Sequence, residues 1–389
     1  MSELYELSEG WEWKKLEDIS IKIFAGGDKP ELVSEYKTDE LNIPIYANGI
    51  KNNGLYGYTN IYKINEECVT ISARGTIGFS VVRNEKFLPI VRLIVVIPAK
   101  NYLSKLLKYY LDYKLVKKTG SSIPQLTVPT VKKLLVPLPP LKKQKQIVTE
   151  LDTLFAKIDQ AIALHQQNID EADKFMRSVL NEVFGEFVSN QKITLKEITT
   201  KIGSGSTPRG GQKSYKSEGI SLIRSMNVHD SGFKVKGLAF INEEQAEKLK
   251  SVIIEENDVL LNITGASVAR CCIMDKQYLS ARVNQHVSII RLKKEILPKF
   301  VHYYLISPSI KADLLFSSSG GATREAITKS MLENFELPLV SLSIQQKTVT
   351  YLNQISQKTQ QLKKVQQEKL QSLKALKASI LDKAFRGEL

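Results

Sequence analysis

Asn48, Lys51, Asn52 and Asn53 share a short stretch punctuated by Gly49 and Gly54, and Arg74 stands beside Gly75. In the second half of the chain Thr207, Arg209, Arg224, Asn227, Arg270, Arg282 and Asn284 occupy comparable turn-rich stretches. Side chains of these types do hydrogen-bonding chemistry. Lys and Arg neutralise phosphates, whereas Asn and Arg make paired hydrogen bonds to polar edges such as those of bases. A second reading stays open at each position. Asn also favours turns through bonds to its own backbone, and a guanidinium at a tight turn also suits a salt bridge to a neighbouring carboxylate.

Bond-breaking chemistry lacks the motifs it needs. The nearest approach to a phosphate-binding loop is Gly205 to Gly211, GSTPRGG, which no lysine follows. No Asn-Pro-Pro-Tyr or Asp-Pro-Pro-Tyr methyltransferase signature occurs, and His165, His229, His286 and His302 form no H-E-x-x-H pair. His165 falls on a helical apolar stripe, where a packed residue is expected. His286, beside Asn284 and Gln285, suits either a ligand-facing or a structural place. We therefore expect a non-catalytic protein.

The 389 residues carry 42% hydrophobic side chains and a net charge of +14, with an isoelectric point near 9.4. Length favours more than one core, and the basic excess points to a polyanion, most often nucleic acid, with an anionic membrane surface as the rival. Cys68, Cys271 and Cys272 form no C-x-x-C pair; the vicinal pair is expected to be two small buried hydrophobes in a reducing cytosol. The amino-terminal MSELYELSEGWEW has no signal-peptide character, and no apolar run approaches 18 residues. A soluble, cytoplasmic protein without membrane contact is the expectation.

These turns must be held by something, and the chain contains its scaffold twice. Val136 to Glu186 reappears 201 positions later as Leu337 to Glu388, with one extra residue at Arg386: Pro137 meets Pro338, Gln144 meets Gln345, Leu151 meets Leu352 and Phe184 meets Phe385. A repeat of about half the chain means duplication of a whole domain. Both copies read as long helices. Ile147, Leu151, Leu154, Ile158, Ile162, His165, Ile169, Ala172, Met176, Val179 and Val183 step by three and four residues, a coiled-coil seam with one stutter. The second copy offers Leu352, Ile355, Leu362, Val365, Leu370, Leu373, Leu376, Ile380 and Ala384, interrupted by Thr359 and Gln366. Helices of about 40 residues need a partner for that stripe. Residues 141–186 carry six basic against eight acidic side chains and residues 341–389 nine against three, so the two are expected to pair; the rival is two unrelated surface helices.

Each helix follows a globular stretch of mixed α and β character. In the first, Ile43-Pro44-Ile45-Tyr46, Cys68 to Ser72, Phe79 to Val82 and Arg92 to Ile97 read as strands, and Tyr102 to Val116 as a helix. In the second, Ile220 to Ile223, Asp258 to Gly265 with its turn, and Val287 to Leu292 read as the matching strands and Pro298 to Leu305 as the helix. The scaffold repeats while the loops differ, as expected of modules that share a fold and read different ligands.

At this point the sequence resembles the specificity (S) subunits of type I restriction-modification systems. The resemblance covers the whole chain: a variable region, a Pro-Leu-Pro-Pro-Leu-x-x-Gln helix, a second variable region, and a second helix ending in Phe-Arg-Gly-Glu-Leu. Gly10-Trp11-Glu12-Trp13, Ser72-Ala73-Arg74-Gly75-Thr76-Ile77-Gly78 and Gly120-Ser121-Ser122-Ile123-Pro124-Gln125-Leu126 look like segments common in that family's target recognition domains. Leu337-Pro338-Leu339-Val340 departs from the proline pattern. The loop at Gly320 to Arg324 lacks Ile-Pro-Gln, so a DNA-binding role for Gln125 does not carry over to Ala326.

The resemblance implies an α+β protein with a pseudo-twofold circular arrangement. Two similar target recognition domains, 1–140 and 187–340, are joined by two long helices, 141–186 and 341–389, forming an antiparallel coiled coil that sets spacing and docks partners. It implies recognition of a bipartite, asymmetric double-stranded DNA site, with two methyltransferase (M) subunits and restriction (R) subunits as partners. S-adenosylmethionine, ATP and Mg are then expected in those partners and no cofactor in this chain. A coiled-coil scaffold whose basic modules bind RNA or peptides is the competing reading, and the detached specificity region of a single-chain restriction enzyme a third.

Overall fold

In a computed structural model of the chain, residues 5–116, 125–274, 276–318 and 326–389 are described. The loops expected at Gly120 to Pro124 and Gly320 to Arg324 lie outside them. The chain forms two units, Met1–Gln166 with Gln367–Leu389, and Gln167–Gln366.

In the first unit β-branched runs between turn formers make a four-stranded antiparallel sheet. Its order is Ser20–Ala25, Ile94–Pro98, Cys68–Ile71, Ser80–Arg83. The sheet alternates its side chains between two cores, as the period of two requires. Val69, Ile71, Ile94 and Val96 face a core shared with the helix Ser104–Val116, whereas Cys68, Val95 and Ile97 pack with Tyr46 and Phe87. A three-stranded sheet, Leu55–Thr59, Ile43–Tyr46, Leu88–Pro89, carries Tyr46. The strand expected from Arg92 begins at Ile94, because Val91 (φ 51°) and Arg92 (φ 62°) turn through the left-handed region.

The second unit repeats the plan. Thr199–Ser204, Val287–Leu292, Val259–Asn262 and Cys271–Ile273 form its four-stranded sheet, and Ala239–Ile241, Ile220–Ile223 and Arg282–Val283 its three-stranded one. Cys271 faces the core shared with the helix Pro298–Ile306 and Cys272 the core on the other side. The vicinal cysteines thus pack as small hydrophobes, both free and buried.

The repeated glutamine explains why the helix motif recurs. Gln144 is fully buried: its Oε1 accepts from Leu103 N at 2.9 Å, and its Nε2 donates to Asn101 O and Pro139 O. Gln345 does the same in the second unit, with Leu297 N at 2.8 Å and the carbonyls of Glu295 and Val340. A tyrosine doublet repeats as well. Tyr109 donates to Asp152 and Tyr110 to Leu135 O, while Tyr303 donates to Asn353 and Tyr304 to Glu336 O. Each module is thereby fastened to the start of its own long helix.

The long helices span Leu141–Gly185 and Leu342–Arg386, and within each unit their segments run antiparallel. In the first unit Lys143 donates to Leu389 O and Lys377 to Asp159. In the second Lys363 reaches Asp173, and Val179, Leu180 and Phe184 share a core with Leu352. The complementary charges do meet. The seam of the second helix differs from the expected stripe. Among its covered positions, Leu352, Ser356, Thr359, Lys363 and Gln366 in one unit and Leu370, Leu373, Lys377, Ile380 and Ala384 in the other follow a strict alternation of four and three, with Ile355 and Leu381 covered beside them. Thr359 and Gln366 belong to the seam, while Leu362, Val365 and Leu376 stand 43–48% exposed beside it.

The Phe-Arg-Gly-Glu-Leu end packs on the first module. Phe385 is fully buried, its ring 5.0 Å from Tyr110 and 5.7 Å from Tyr113, and Tyr5 and Ser8 donate to the carbonyls of Phe385 and Arg386. At Gly387 (φ +78°) a Cβ would lie 1.9 Å from Ser8 Oγ, so only glycine brings the chain so close. Phe184 makes the matching nest with Phe300 and Tyr304 in the second unit.

Candidate functional site

In the first unit three turns are stitched into one surface. Asn48 Oδ1 accepts from Ala73 N at 2.7 Å and its Nδ2 donates to Val91 O at 2.7 Å, while Gly49 N donates to Ser72 Oγ. Asn48 is therefore a clamp, with both ends of its amide engaged on backbone. The residues it positions are exposed. Lys51, Asn52 and Asn53 lie at the tip of the loop, where Asn52 (φ 48°) and Asn53 (φ 53°) adopt the left-handed conformation that Asn tolerates. Arg83, 3.4 Å above the Tyr46 ring, holds the Asn53 carbonyl from beneath. Arg74 Nη2 donates to Gln125 Oε1 at 2.9 Å across 51 residues of sequence, so two expected site residues meet, and among the described residues no carboxylate bridges Arg74. Arg92, exposed in its strained turn, joins this surface.

The second unit builds a cleft of about 1020 Å³ instead. Thr264 bridges to Ala326 at the places held by Arg74 and Gln125 in the first module: Leu126 N donates to Ala73 O, and Ile327 N to Ile263 O. Arg270 lines the cleft, as do Ser225, Met226, Ser267, Gln285 and His286. Thr207 donates to Gln285 Oε1 at its rim. Arg209 is exposed nearby in sequence. Arg224 is half-buried over the Tyr215 ring and donates to Gly237 O.

Three expected site residues are taken up inside the module. Asn227 is fully buried and donates to the Lys234 and Lys236 carbonyls. Arg282, 8% exposed, spends its guanidinium on the carbonyls of Ala246 and Ser280. Asn284, 3% exposed, caps His286 N. Each is buried and hydrogen-bonded to backbone. Sequence reasoning missed Thr264, Ser267 and Gln285; the consecutive polar run Asn284-Gln285-His286 at the head of a buried strand was the available signal.

His229 and His302 are taken up in the fold. His229 pairs with Met226 O, and His302, buried against Cys271 O, is pushed down to about 4, chiefly by burial. Burial pushes the thiols of Cys68 and Cys272 up to about 12, which makes them poor nucleophiles. Among the described residues no group of three His, Cys, Asp or Glu is placed to hold a metal, and no helix is long and apolar enough to cross a membrane.

The family model of the type I restriction modification DNA specificity domain matches residues 8–172 and again 188–372. The chain belongs to this family. Its relatives among specificity subunits include a putative type I specificity subunit of Mycoplasma pneumoniae, 35% identical over 48% of this chain and 52% of that protein. Another is the EcoBI specificity subunit of Escherichia coli, 29% identical over 75% of this chain and 66% of that one. This chain thus spans about half the length of the first relative and two-thirds of the second. A solved chain from work on complex assembly and conformational transition of the type I restriction-modification system matches 99% of this chain and 100% of its own length. Its TM-score is 0.73 at 20% identity, a likeness of fold. The two relatives from Mycoplasma pneumoniae and Escherichia coli are both named as type I specificity subunits. The two matched stretches agree with the duplicated glutamine clamps and aromatic nests.

Proposed function

We propose that this chain reads a bipartite, asymmetric site in double-stranded DNA, each module addressing one half, and carries two methyltransferase subunits and restriction subunits to it. The target recognition domains are then 1–140 and 187–340, and the helices 141–186 and 341–389 the spacer and docking elements. One observation carries the reading: the same scaffold presents two different polar surfaces. The first is an exposed Lys51, Asn52, Asn53, Arg74 and Gln125 cluster, and the second an Arg270-lined cleft. Base edges are told apart by such differences, whereas the shared positive charge supplies phosphate affinity. Thr207, Arg209 and Arg224 flank the second surface, and Asn48 positions the first. The apolar side chains beside the seam, Leu362 and Val365 in one unit and Leu376 in the other, support docking along the helices. S-adenosylmethionine, ATP and Mg belong in this reading to the partner subunits. Selection from a randomised duplex library by the full chain with its methyltransferase partners tests it. The expected outcome is a motif of two fixed blocks around a free spacer, and Arg74→Ala should relax one block alone. A library that emerges unenriched sinks the proposal and favours the scaffold reading.

A further inference from the structure

The cleft of the second module has a hydrogen-bond polarity that can be followed atom by atom. Thr207 donates to Gln285 Oε1, which leaves the Gln285 amide nitrogen facing His286, and Gln285 Nε2 donates to His286 Nε2 at 3.1 Å. His286 then carries its hydrogen on Nδ1 and donates it to Thr264 Oγ1 at 2.5 Å. Thr264 Oγ1 accepts this bond, which leaves its own hydrogen free to donate. Ser267 is placed in the same way: its Oγ accepts from Asn262 Nδ2 at 3.1 Å, and its hydrogen is free to donate. The Arg270 guanidinium, a pure donor, has no hydrogen-bond or ionic partner among the described residues. Ala326, facing Thr264, adds no side-chain acceptor, and the Ser225 hydroxyl turns either way and does not discriminate.

We propose that this donor-lined cleft reads a guanine by its major-groove edge, Arg270 meeting N7 and O6 with the Thr264 and Ser267 hydroxyls beside it. The inference rests on the DNA reading above. Guanine shows two acceptors in the major groove. Cytosine shows an N4 donor and adenine an N6 donor beside N7, and either donor would meet the Arg270 guanidinium, which has no lone pair to accept it. The relay from Thr207 through Gln285 and His286 makes those three positioning residues for Thr264.

A phosphate is also all acceptors, and the test separates the two. The full chain with its methyltransferase partners first yields a motif from a randomised library; no motif at all would remove the DNA reading itself. Each guanine of that motif is then replaced singly by 7-deazaguanine, which lacks N7, or by inosine, which keeps N7 and O6. At one guanine, 7-deazaguanine should weaken binding about 10- to 100-fold while inosine leaves it unchanged. Arg270→Lys should lose that discrimination at that position only. Thr264→Val, which keeps shape and removes the hydroxyl, should lower it further, and circular dichroism of both variants should match the parent. A motif in which no guanine responds through Arg270 overturns the inference and leaves the DNA reading standing. So does an Arg270→Lys or Arg270→Ala variant that weakens all sequences alike with a shallower salt dependence, since the cleft then holds a phosphate.

Discussion

Lys363 donates from Nζ to Asp173 Oδ1 at 2.6 Å, from a seam position where an uninterrupted coiled coil would carry an apolar side chain. Lys377 repeats the arrangement with Asp159 in the other unit, its Nζ also 4.6 Å from the Phe155 ring centroid. Lysines at such positions cost some stability and specify which helix is accepted.

Reversing one partner should therefore do more than removing it. Lys363→Glu is expected to lower the unfolding midpoint of the second unit, and Lys363→Glu with Asp173→Lys to recover part of the loss. The coupling should be about 0.5–1 kcal/mol in a double-mutant cycle by denaturant unfolding. Additive effects would show that the pair contributes nothing to helix choice.

The buried glutamines make a matched pair of probes. Gln144→Ala leaves Leu103 N and two carbonyls without their partner and should cost about 2–4 kcal/mol, and Gln345→Ala should cost a similar amount in the second unit. Calorimetry of the two variants should show different parts of the transition moving. Loss of less than about 1 kcal/mol from either would mean that water replaces the amide.

Acid should reach the second unit through His302. Its folded value lies near 4, below the ordinary 6.5, so the fold holds it neutral while the unfolded chain takes up a proton. The contribution is full above about pH 6.5 and is lost as pH falls toward 4, roughly 3 kcal/mol in all. Stability measured across that window should fall in the parent and more gently in His302→Gln. Parallel slopes would assign the acid sensitivity elsewhere.

The strict four-and-three alternation of the second helix suggests a spacing experiment. One heptad added to each long helix, between Ile158 and Ala172 and between Thr359 and Leu373, keeps the seam. Each helix grows by about 10 Å. The selected motif should keep both blocks and gain about three base pairs of spacer; an unchanged spacer in a folded variant would separate the helices from spacing.

The sequence revealed its scaffold more readily than its site. Strands such as Ile220–Ile223 and Val287–Leu292 were legible to the residue, because β-branched runs between turn formers have few alternatives. Periodicity misplaced Leu362, Val365 and Leu376, since it assigns every apolar residue to the seam and cannot see that Lys363 and Lys377 are held there by carboxylates on the partner helix. Residue type alone gave Asn227, Arg282 and Asn284 the same standing as Arg270. What separates them is burial, and burial here depends on loops folding over side chains from distant parts of the chain, such as Ala246 over Arg282.

The first unit is assembled from residues 1–166 and 367–389, whereas the second is a single stretch, Gln167–Gln366. During synthesis the first module must therefore wait for Phe385 to fill the gap against Tyr110 and Tyr113. At roughly 5–20 residues per second the intervening stretch takes about 10–40 s to make, so the module begun first is completed last. Through that interval its aromatic nest is open, and a nascent chain beside it, or a chaperone, meets an unfilled binding site for a phenylalanine.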